Sequence, residues 1–256
     1  MPRTKRKISY TKVYHIILRG INKQDIFLET DDYYKFLDVL KETKIKYKYE
    51  IYSYCLMNNH AHLIIFDKTD NLSKIMQSIE ISYSIYFNRK YNRVGHLFQN
   101  RFLSKEIQEK EYLKMACRYI HQNPLKAKIG RIEEYKWSSY KEYIIKKLII
   151  NPKVILSIFA SNEEEAKNEF IKFHGTESEK EICDLIEYEM KEKITDEQLI
   201  KYICELIDID NISKISEFNI EKRNEILLKI KENKKLTCTQ IARVLGINRK
   251  IIERAK

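Results

Sequence analysis

The spacing of apolar residues between positions 10 and 122 changes in a fixed order, and this order limits the fold more than any other feature of the chain. Tyr10–Leu18 alternates with the period of a β-strand, Glu50–Met57 and His60–Phe66 are strand-like runs, and Arg101–Ile107 can form a short strand. Helical periodicity occurs over Asp31–Tyr47, Asn71–Asn88 and Glu109–Gln122. The pair Asn58-Asn59 suits a tight hairpin between the second and third strands. The order βαββαβ, followed by a helix, predicts an α+β fold of the ferredoxin-like type, with an antiparallel sheet and two helices on one face.

The charge balance changes along the chain and suggests three parts. Residues 1–150 carry 29 basic and 16 acidic side chains, residues 151–235 carry 14 and 20, and residues 236–256 carry 5 and 1. We expect a first domain over residues 1–150 and an acidic helical connector over residues 151–220, which includes Glu177–Glu192. Residues 221–256 are expected to form an all-α region, in which the capping box Thr237-x-x-Gln240 and a turn at Gly246 predict a helix-turn-helix. A small trihelical packing domain has the same apolar spacing.

The composition is typical of a soluble protein from a reducing compartment. The longest apolar runs fall far short of the ~18 residues of a membrane helix, and no apolar segment follows the basic start. Five cysteines are widely spaced without a CxxC pair. We therefore expect a cytoplasmic protein with free thiols and no membrane partner. The formal net charge of +11 favours a polyanionic partner.

Two short patterns carry residues that can support catalysis. His60 and His62 are i and i+2 in a predicted strand, so both imidazoles leave the same face of the sheet. Tyr119 and Asn123 are i and i+4 before Pro124, so a phenol and an amide share one helix face. A metal held by the two imidazoles and the Asn123 oxygen would have Tyr119 about one helical turn away. The same residues also fit ordinary strand histidines, a half-buried tyrosine and an asparagine that ends a helix.

Four motifs in a fixed order extend these two patterns. They are Tyr54-Cys-Leu-Met-Asn-Asn-His-Ala-His-Leu-Ile-Ile, Gly95-His-Leu-Phe-Gln-Asn-Arg-Phe, Arg118-Tyr-Ile-His-Gln-Asn-Pro-Leu and Tyr135-Lys-Trp-Ser-Ser. With them, residues 8–145 resemble the single-tyrosine HUH transposases, and in particular the branch called REP-associated tyrosine transposases. The resemblance implies that His60, His62 and Asn123 bind Mg²⁺ or Mn²⁺ and that Tyr119 is the nucleophile. The chain departs from the family in having Asn58-Asn59 where Pro-Asn is frequent, and in having only Ala61 between the histidines.

The resemblance implies metal-dependent cleavage and strand transfer of single-stranded DNA at hairpin-flanked sites. On this hypothesis the Tyr119 oxygen attacks phosphorus and leaves a 5′-phosphotyrosine link and a free 3′-hydroxyl. The stored link allows rejoining to another 3′ end without ATP. His121 lies on a different helix face from Tyr119 and is a poor candidate for the general base. The sequence does not distinguish a monomer from a homodimer.

Residues expected to contact DNA lie near both ends of the chain and beside the first and second motifs. They are Arg3, Lys5, Arg6, Lys7, Arg19, Arg101, Gln240, Arg249, Lys250 and Arg254. The alternative for the N-terminal arm is a solvated tail.

Three other functions fit the sequence less well. A non-catalytic DNA-binding regulator would not need the complete set of imidazoles, amide and phenol. An RNA-binding protein is disfavoured because no RNP-like aromatic run is present. A zinc hydrolase is disfavoured because no third His, Cys or carboxylate stands at zinc-ligand spacing.

Overall fold

A computed structural model describes residues 8–145, 148–176, 196–209, 212, 215, 218–233, 236 and 238–255. The chain divides into two compact units, Met1–Leu185 and Ile186–Lys256. The basic arm Arg3–Lys7, the acidic segment Glu177–Glu192 and Thr237 lie outside the described residues.

The first unit is built on a four-stranded sheet. The strands are β1 (Val13–Arg19), β2 (Glu50–Met57), β3 (His60–Phe66) and β4 (Leu103–Ile107), in the order β2-β3-β1-β4 with antiparallel neighbours. Helix α1 (Thr30–Tyr47) joins β1 to β2, and α2 (Leu72–Lys90) joins β3 to β4. The predicted α+β class and the antiparallel sheet are therefore confirmed.

Helices α1 and α2 cover one face of the sheet and contact each other. All residues of β3 from Ala61 to Ile65 are fully buried, so both faces of this strand are covered. Helix α1 begins with a capping box in which the Glu29 and Asp32 side chains satisfy each other's backbone N–H groups. This packing leaves the other face of β3, which carries His60 and His62, for a different helix.

Helix α3 (Lys110–His121) occupies that second face and contacts β2, β3 and β4. Four short or medium helices follow it: α4 (Asn123–Lys126), α5 (Tyr140–Ile144), α6 (Pro152–Leu156) and α7 (Glu163–His174). Helix α7 contacts α3, and its Phe170 is fully buried with its ring centroid 4.5 Å from that of Tyr143. The residues up to Gly175 therefore pack in the first unit, which differs from the predicted connector starting at residue 151. The acidic charge that predicted a connector comes from the exposed start of α7. The buried face of α7 carries only a few apolar side chains and is therefore hard to recognise in the sequence.

The second unit consists of α8 (Asp196–Ile207), α9 (Ile220–Glu232), α10 (Cys238–Leu245) and α11 (Arg249–Arg254). Its core contains Leu199, Ile203, Leu227, Ile230, Ile241 and Ile252. Because α8 contributes to this core, the unit begins before the predicted boundary at residue 221. Gly246, between α10 and α11, has φ +65°, a left-handed conformation that glycine adopts without strain. None of the helices in the described ranges is long and apolar enough to cross a membrane.

Two of the four motifs form backbone hydrogen bonds with strands of the sheet in the first unit. In the fourth motif, the Trp137 carbonyl accepts a hydrogen bond from the Leu56 N–H, and the Ser139 N–H donates to the Tyr54 carbonyl. In the second motif, the Gln99 N–H donates to the carbonyl of Arg19 at the end of β1. These motifs therefore fix the two strands that flank β3.

Candidate active site

Strand β3 positions two imidazoles side by side under α3. The ring centroids of His60 and His62 are 5.0 Å apart, as expected for i and i+2 residues on one face of a strand. In the register of the neighbouring strand β1, Arg19 lies opposite His60 and Ile17 lies opposite His62. The hairpin at Asn58-Asn59 and this register fix the histidines on rigid backbone.

His62 is held by a third imidazole that the sequence analysis did not include. His15 Nε2 lies 3.0 Å from His62 Nδ1, and both side chains are buried. The other nitrogen of His62, Nε2, is buried without a hydrogen-bond partner in the structure. An orphaned buried nitrogen costs about 1–3 kcal/mol, so Nε2 is the atom of this ring that is available to a ligand.

His60 is oriented by Asn59 and faces Asn123. The Nδ1 atom of His60 lies 2.6 Å from the Asn59 Oδ1, so Nδ1 is the donor. The Asn123 side chain lies next to the His60 ring. Because the Asn123 Nδ2 already donates to the carbonyls of Tyr119 and Ile120, its oxygen is the atom left for the imidazole. Asn123 therefore both caps the end of α3 and directs its oxygen to His60.

Desolvation keeps the imidazoles of this site uncharged. Burial, together with the nearby charge of Arg19, lowers the pKa of His60 to about 4. Burial lowers the pKa of His15 to about 3 and that of His62 well below its usual range. At neutral pH these rings carry lone pairs instead of charges, which is the form that coordinates metal ions.

Helix α3 brings the phenol of Tyr119 to the same place. Its ring centroid lies 5.8 Å from that of His62 and 6.4 Å from that of His15. Tyr119 is 3% exposed. The exposed Lys126 places its ammonium 4.1 Å from the centre of the Tyr119 ring, so a positive charge lies next to the phenol. The i, i+4 spacing on α3 thus brings Tyr119 and Asn123 together with His60 and His62.

The residues present fit a divalent cation. Two neutral imidazoles and an amide oxygen form a donor set of the kind that binds Mg²⁺ or Mn²⁺ together with substrate oxygens. The orphaned Nε2 of His62 is the specific observation, since a metal ligand would satisfy it. Its Nδ1 already has the partner that metal-bound histidines usually have in their outer shell.

The residues expected to contact DNA are placed in different ways. Arg19 is half-buried beside His60, and Arg101 is exposed just before β4. In the second unit, Arg249, Lys250 and Arg254 are exposed, and Arg249 pairs with a glutamate one turn along α11.

Gln240 does not agree with its predicted place on a groove-facing surface. It is 8% exposed and donates to the Asp196 carboxylate, because α8 packs against α10. The predicted start of the second unit at residue 221 leaves out α8 and therefore this contact.

The role of His15 could not be found from spacing alone. His15, Ile17 and Arg19 alternate on one face of β1, which the strand period indicates. That this face adjoins His62 follows only from the strand order, in which β1 lies next to β3.

Comparison with known proteins identifies the first unit. Residues 8–123 match the family model described as "Transposase IS200 like". A REP-associated tyrosine transposase solved with a REP hairpin has a similar fold, with a TM-score of 0.50 and 18% identity over 58% of this chain and 88% of that chain. A candidate transposase from Deinococcus radiodurans aligns at a TM-score of 0.34 and 12% identity over 47% of this chain and 97% of its own.

The tRNA(His) guanylyltransferase of Saccharomyces cerevisiae aligns at a TM-score of 0.32 and 14% identity over 68% of this chain and 82% of its own. A comparison with curated protein sequences gave no match. The segment that matches the family model contains all four residues of the imidazole, amide and phenol cluster. Residues 8–123, somewhat less than half of the chain, therefore match the family of IS200-like transposases.

Proposed function

We propose that this protein cleaves and rejoins single-stranded DNA through a covalent link to Tyr119, as a transposase of the REP-associated type. The observation that carries the proposal is the meeting of Tyr119, His60, His62 and Asn123, from a helix and a strand about 60 residues apart, at an orphaned imidazole nitrogen. The similarity to a fold that was solved with a hairpin makes hairpin-flanked single strands the substrate of choice.

The chemistry of the proposed step is a displacement at phosphorus. The Tyr119 oxygen forms a bond to the phosphorus of a phosphodiester, its proton is lost, and the bond to the 3′ oxygen breaks. The 3′ oxygen takes a proton and leaves as a hydroxyl, while the 5′ phosphate stays on Tyr119. The reverse reaction with another 3′-hydroxyl restores a phosphodiester, so no nucleotide triphosphate is needed.

The chain's own residues position and stabilise the reacting groups. His60, His62 and Asn123 hold a Mg²⁺ or Mn²⁺ ion, which when bound withdraws charge from a non-bridging phosphate oxygen. His15 keeps His62 in the tautomer whose Nε2 has a free lone pair. The Lys126 ammonium adds positive charge where the anionic phosphate must approach the Tyr119 ring.

We propose that the second unit binds duplex DNA. The succession of α10, Gly246 and α11 supports this proposal, and Lys250 and Arg254 are exposed on α11. If Lys250 contacts a phosphate, Lys250→Ala should reduce the slope of log affinity against log salt by about one unit. A slope equal to that of the parent protein would exclude this contact.

A gel assay of covalent attachment tests the cleavage proposal. The full-length protein is incubated with labelled hairpin-flanked single strands and Mn²⁺, and a denaturant-resistant adduct is expected. Tyr119→Phe should form none, whereas Tyr112→Phe, a change in another tyrosine of α3, should behave as the parent protein. Equal adduct formation by Tyr119→Phe would contradict the proposal.

A further inference from the structure

A second group of metal-binding side chains lies on the side of α3 away from Tyr119. Cys117 and His121 are i and i+4 on α3 and share a face, and His174 reaches them from the last residue of α7. Their exposed fractions are 0%, 0% and 1%. The Cys117 sulfur and one nitrogen of each histidine all lie within 4.8 Å of one another. The sequence does not reveal this set, because His174 is distant from the other two residues in sequence.

The separations of these atoms are close to those of a tetrahedral metal site. His121 Nδ1 lies 3.0 Å from His174 Nε2, and Cys117 Sγ lies 3.8 Å from His121 Nδ1. Zinc bonds of about 2.0–2.1 Å to nitrogen and about 2.3 Å to sulfur place tetrahedral ligands about 3.3 Å (N to N) and about 3.6 Å (S to N) apart. These two separations differ from the tetrahedral values by a few tenths of an ångström, and the third, between Cys117 Sγ and the His174 nitrogen, is within 4.8 Å.

The outer atoms of both imidazoles are held as metal-bound histidines usually are. His174 Nδ1 donates to the Phe170 carbonyl at 2.8 Å, so its lone pair is on Nε2, the atom inside the cluster. His121 Nε2 lies 2.8 Å from the Ser139 hydroxyl and 3.0 Å from that of Ser53. A hydroxyl can accept from Nε2, which leaves the Nδ1 lone pair of His121 to point inward.

Without an ion, the same atoms form a hydrogen-bonded group. In that state His121 Nδ1 donates to His174 Nε2, and the Cys117 thiol contacts the Tyr143 hydroxyl at the longer distance of 3.9 Å. Burial raises the pKa of Cys117 to about 12, so the thiol is then protonated. Binding of a cation must release the S–H proton to solvent, and this difference makes the two states distinguishable.

We propose that Cys117, His121 and His174 form a zinc-class structural site that joins the tyrosine-bearing helix α3 to α7. A thiolate with two imidazoles is a donor set that selects Zn²⁺ over Mg²⁺ or Mn²⁺. The fourth position falls to the oxygen of a water molecule, because the serine hydroxyls accept from the outer nitrogen of His121. The site is separate from His60, His62 and Asn123, which include no sulfur, and it does not depend on the proposed cleavage reaction.

Cobalt absorption tests this site in the full-length protein. The protein is stripped with a chelator and titrated with Co²⁺, which reports a thiolate ligand by a near-ultraviolet charge-transfer band. One equivalent of Co²⁺ should give this band together with the visible bands of a tetrahedral ion, and Zn²⁺ should remove them. Cobalt uptake by the unmodified protein without a thiolate band would overturn the proposal, whatever the behaviour of any variant.

Three variants locate the band. Cys117→Ser should abolish it, whereas Cys204→Ser, which changes a half-buried thiol of the second unit, should retain it. His62→Ala should also retain it, and Zn²⁺ should still raise the melting temperature of that variant. Survival of the band in Cys117→Ser would overturn the proposal. If only the cleavage proposal is wrong, the cobalt charge-transfer band should still be present in a protein that forms no DNA adduct.

Discussion

Removal of the His15 imidazole should weaken metal binding at His62 without touching a metal ligand. With a cation on His62 Nε2, the Nδ1 of His62 carries the proton and donates it to His15 Nε2 across 3.0 Å. His15→Leu removes this acceptor from a position that is 2% exposed, so water cannot easily replace it. Loss of such an outer-shell partner typically lowers metal affinity about 10–100-fold, or about 1.4–2.7 kcal/mol. His15→Gln keeps an acceptor oxygen in the same place and should restore most of the affinity.

The assay is Mn²⁺ binding by the full-length protein, measured by calorimetry or by the resonance signal of free Mn²⁺. The unfolding free energy is measured in parallel, because an orphaned Nδ1 costs about 1–3 kcal/mol and the leucine variant must still be folded. Cleavage at saturating Mn²⁺ should remain, since the ligands are intact. If folded His15→Leu binds Mn²⁺ as tightly as the parent protein, the positioning role of His15 is refuted.

Three further predictions concern stability. Phe170→Ala should lower the free energy of chemical unfolding by about 3–5 kcal/mol, because the ring is fully buried. Ile171→Ala, which changes a neighbour that is 40% exposed, should alter that free energy by no more than about 0.5 kcal/mol. Equal effects would mean that α7 is not packed in the first unit. Gly20→Ala places a Cβ 2.1 Å from a backbone oxygen and should lower the free energy of unfolding by about 1–3 kcal/mol. In the control Gly130→Ala, the added Cβ meets no atom within 4 Å. Unchanged stability of Gly20→Ala would refute this packing. Burial lowers the pKa of His174 to about 3, so between about pH 6.5 and pH 3 this residue is protonated in the unfolded chain but not in the folded one. The free energy of unfolding should therefore fall as the pH drops through this range, by up to about 1.4 kcal/mol per pH unit for this group. His174→Phe should remove part of this pH dependence, and an unchanged slope of stability against pH would contradict the prediction.

The sequence predicts the sheet well because its signals are local. The bounds of β2 and β3 agree with the structure, since alternation and a tight turn are both visible within a few residues. β4 begins at Leu103 and not at Arg101, because Asn100 takes a left-handed turn with φ +56°. Local periodicity thus predicts where the strands lie, and backbone turns decide where they end.

The residues that the sequence missed depend on contacts between distant segments. His15 becomes part of the site only because β1 lies beside β3, and His174 reaches Cys117 only because α7 packs on α3. Neither contact, that of β1 with β3 or that of α7 with α3, can be predicted from the spacing of residues within one segment. In the second unit, the burial of Gln240 likewise follows from packing by α8, whose apolar face is separated from α10 by about 40 residues.

The central claim is that the Tyr119 oxygen carries the cleaved strand. Trypsin cuts after Arg118 and Lys126, and the resulting peptide contains Tyr119 as its sole tyrosine. Mass spectrometry of the adduct after trypsin and nuclease treatment should therefore find a nucleotide, attached through its 5′ phosphate, on the peptide of residues 119–126. A nucleotide mapped to any other peptide, with residues 119–126 unmodified, would contradict the account.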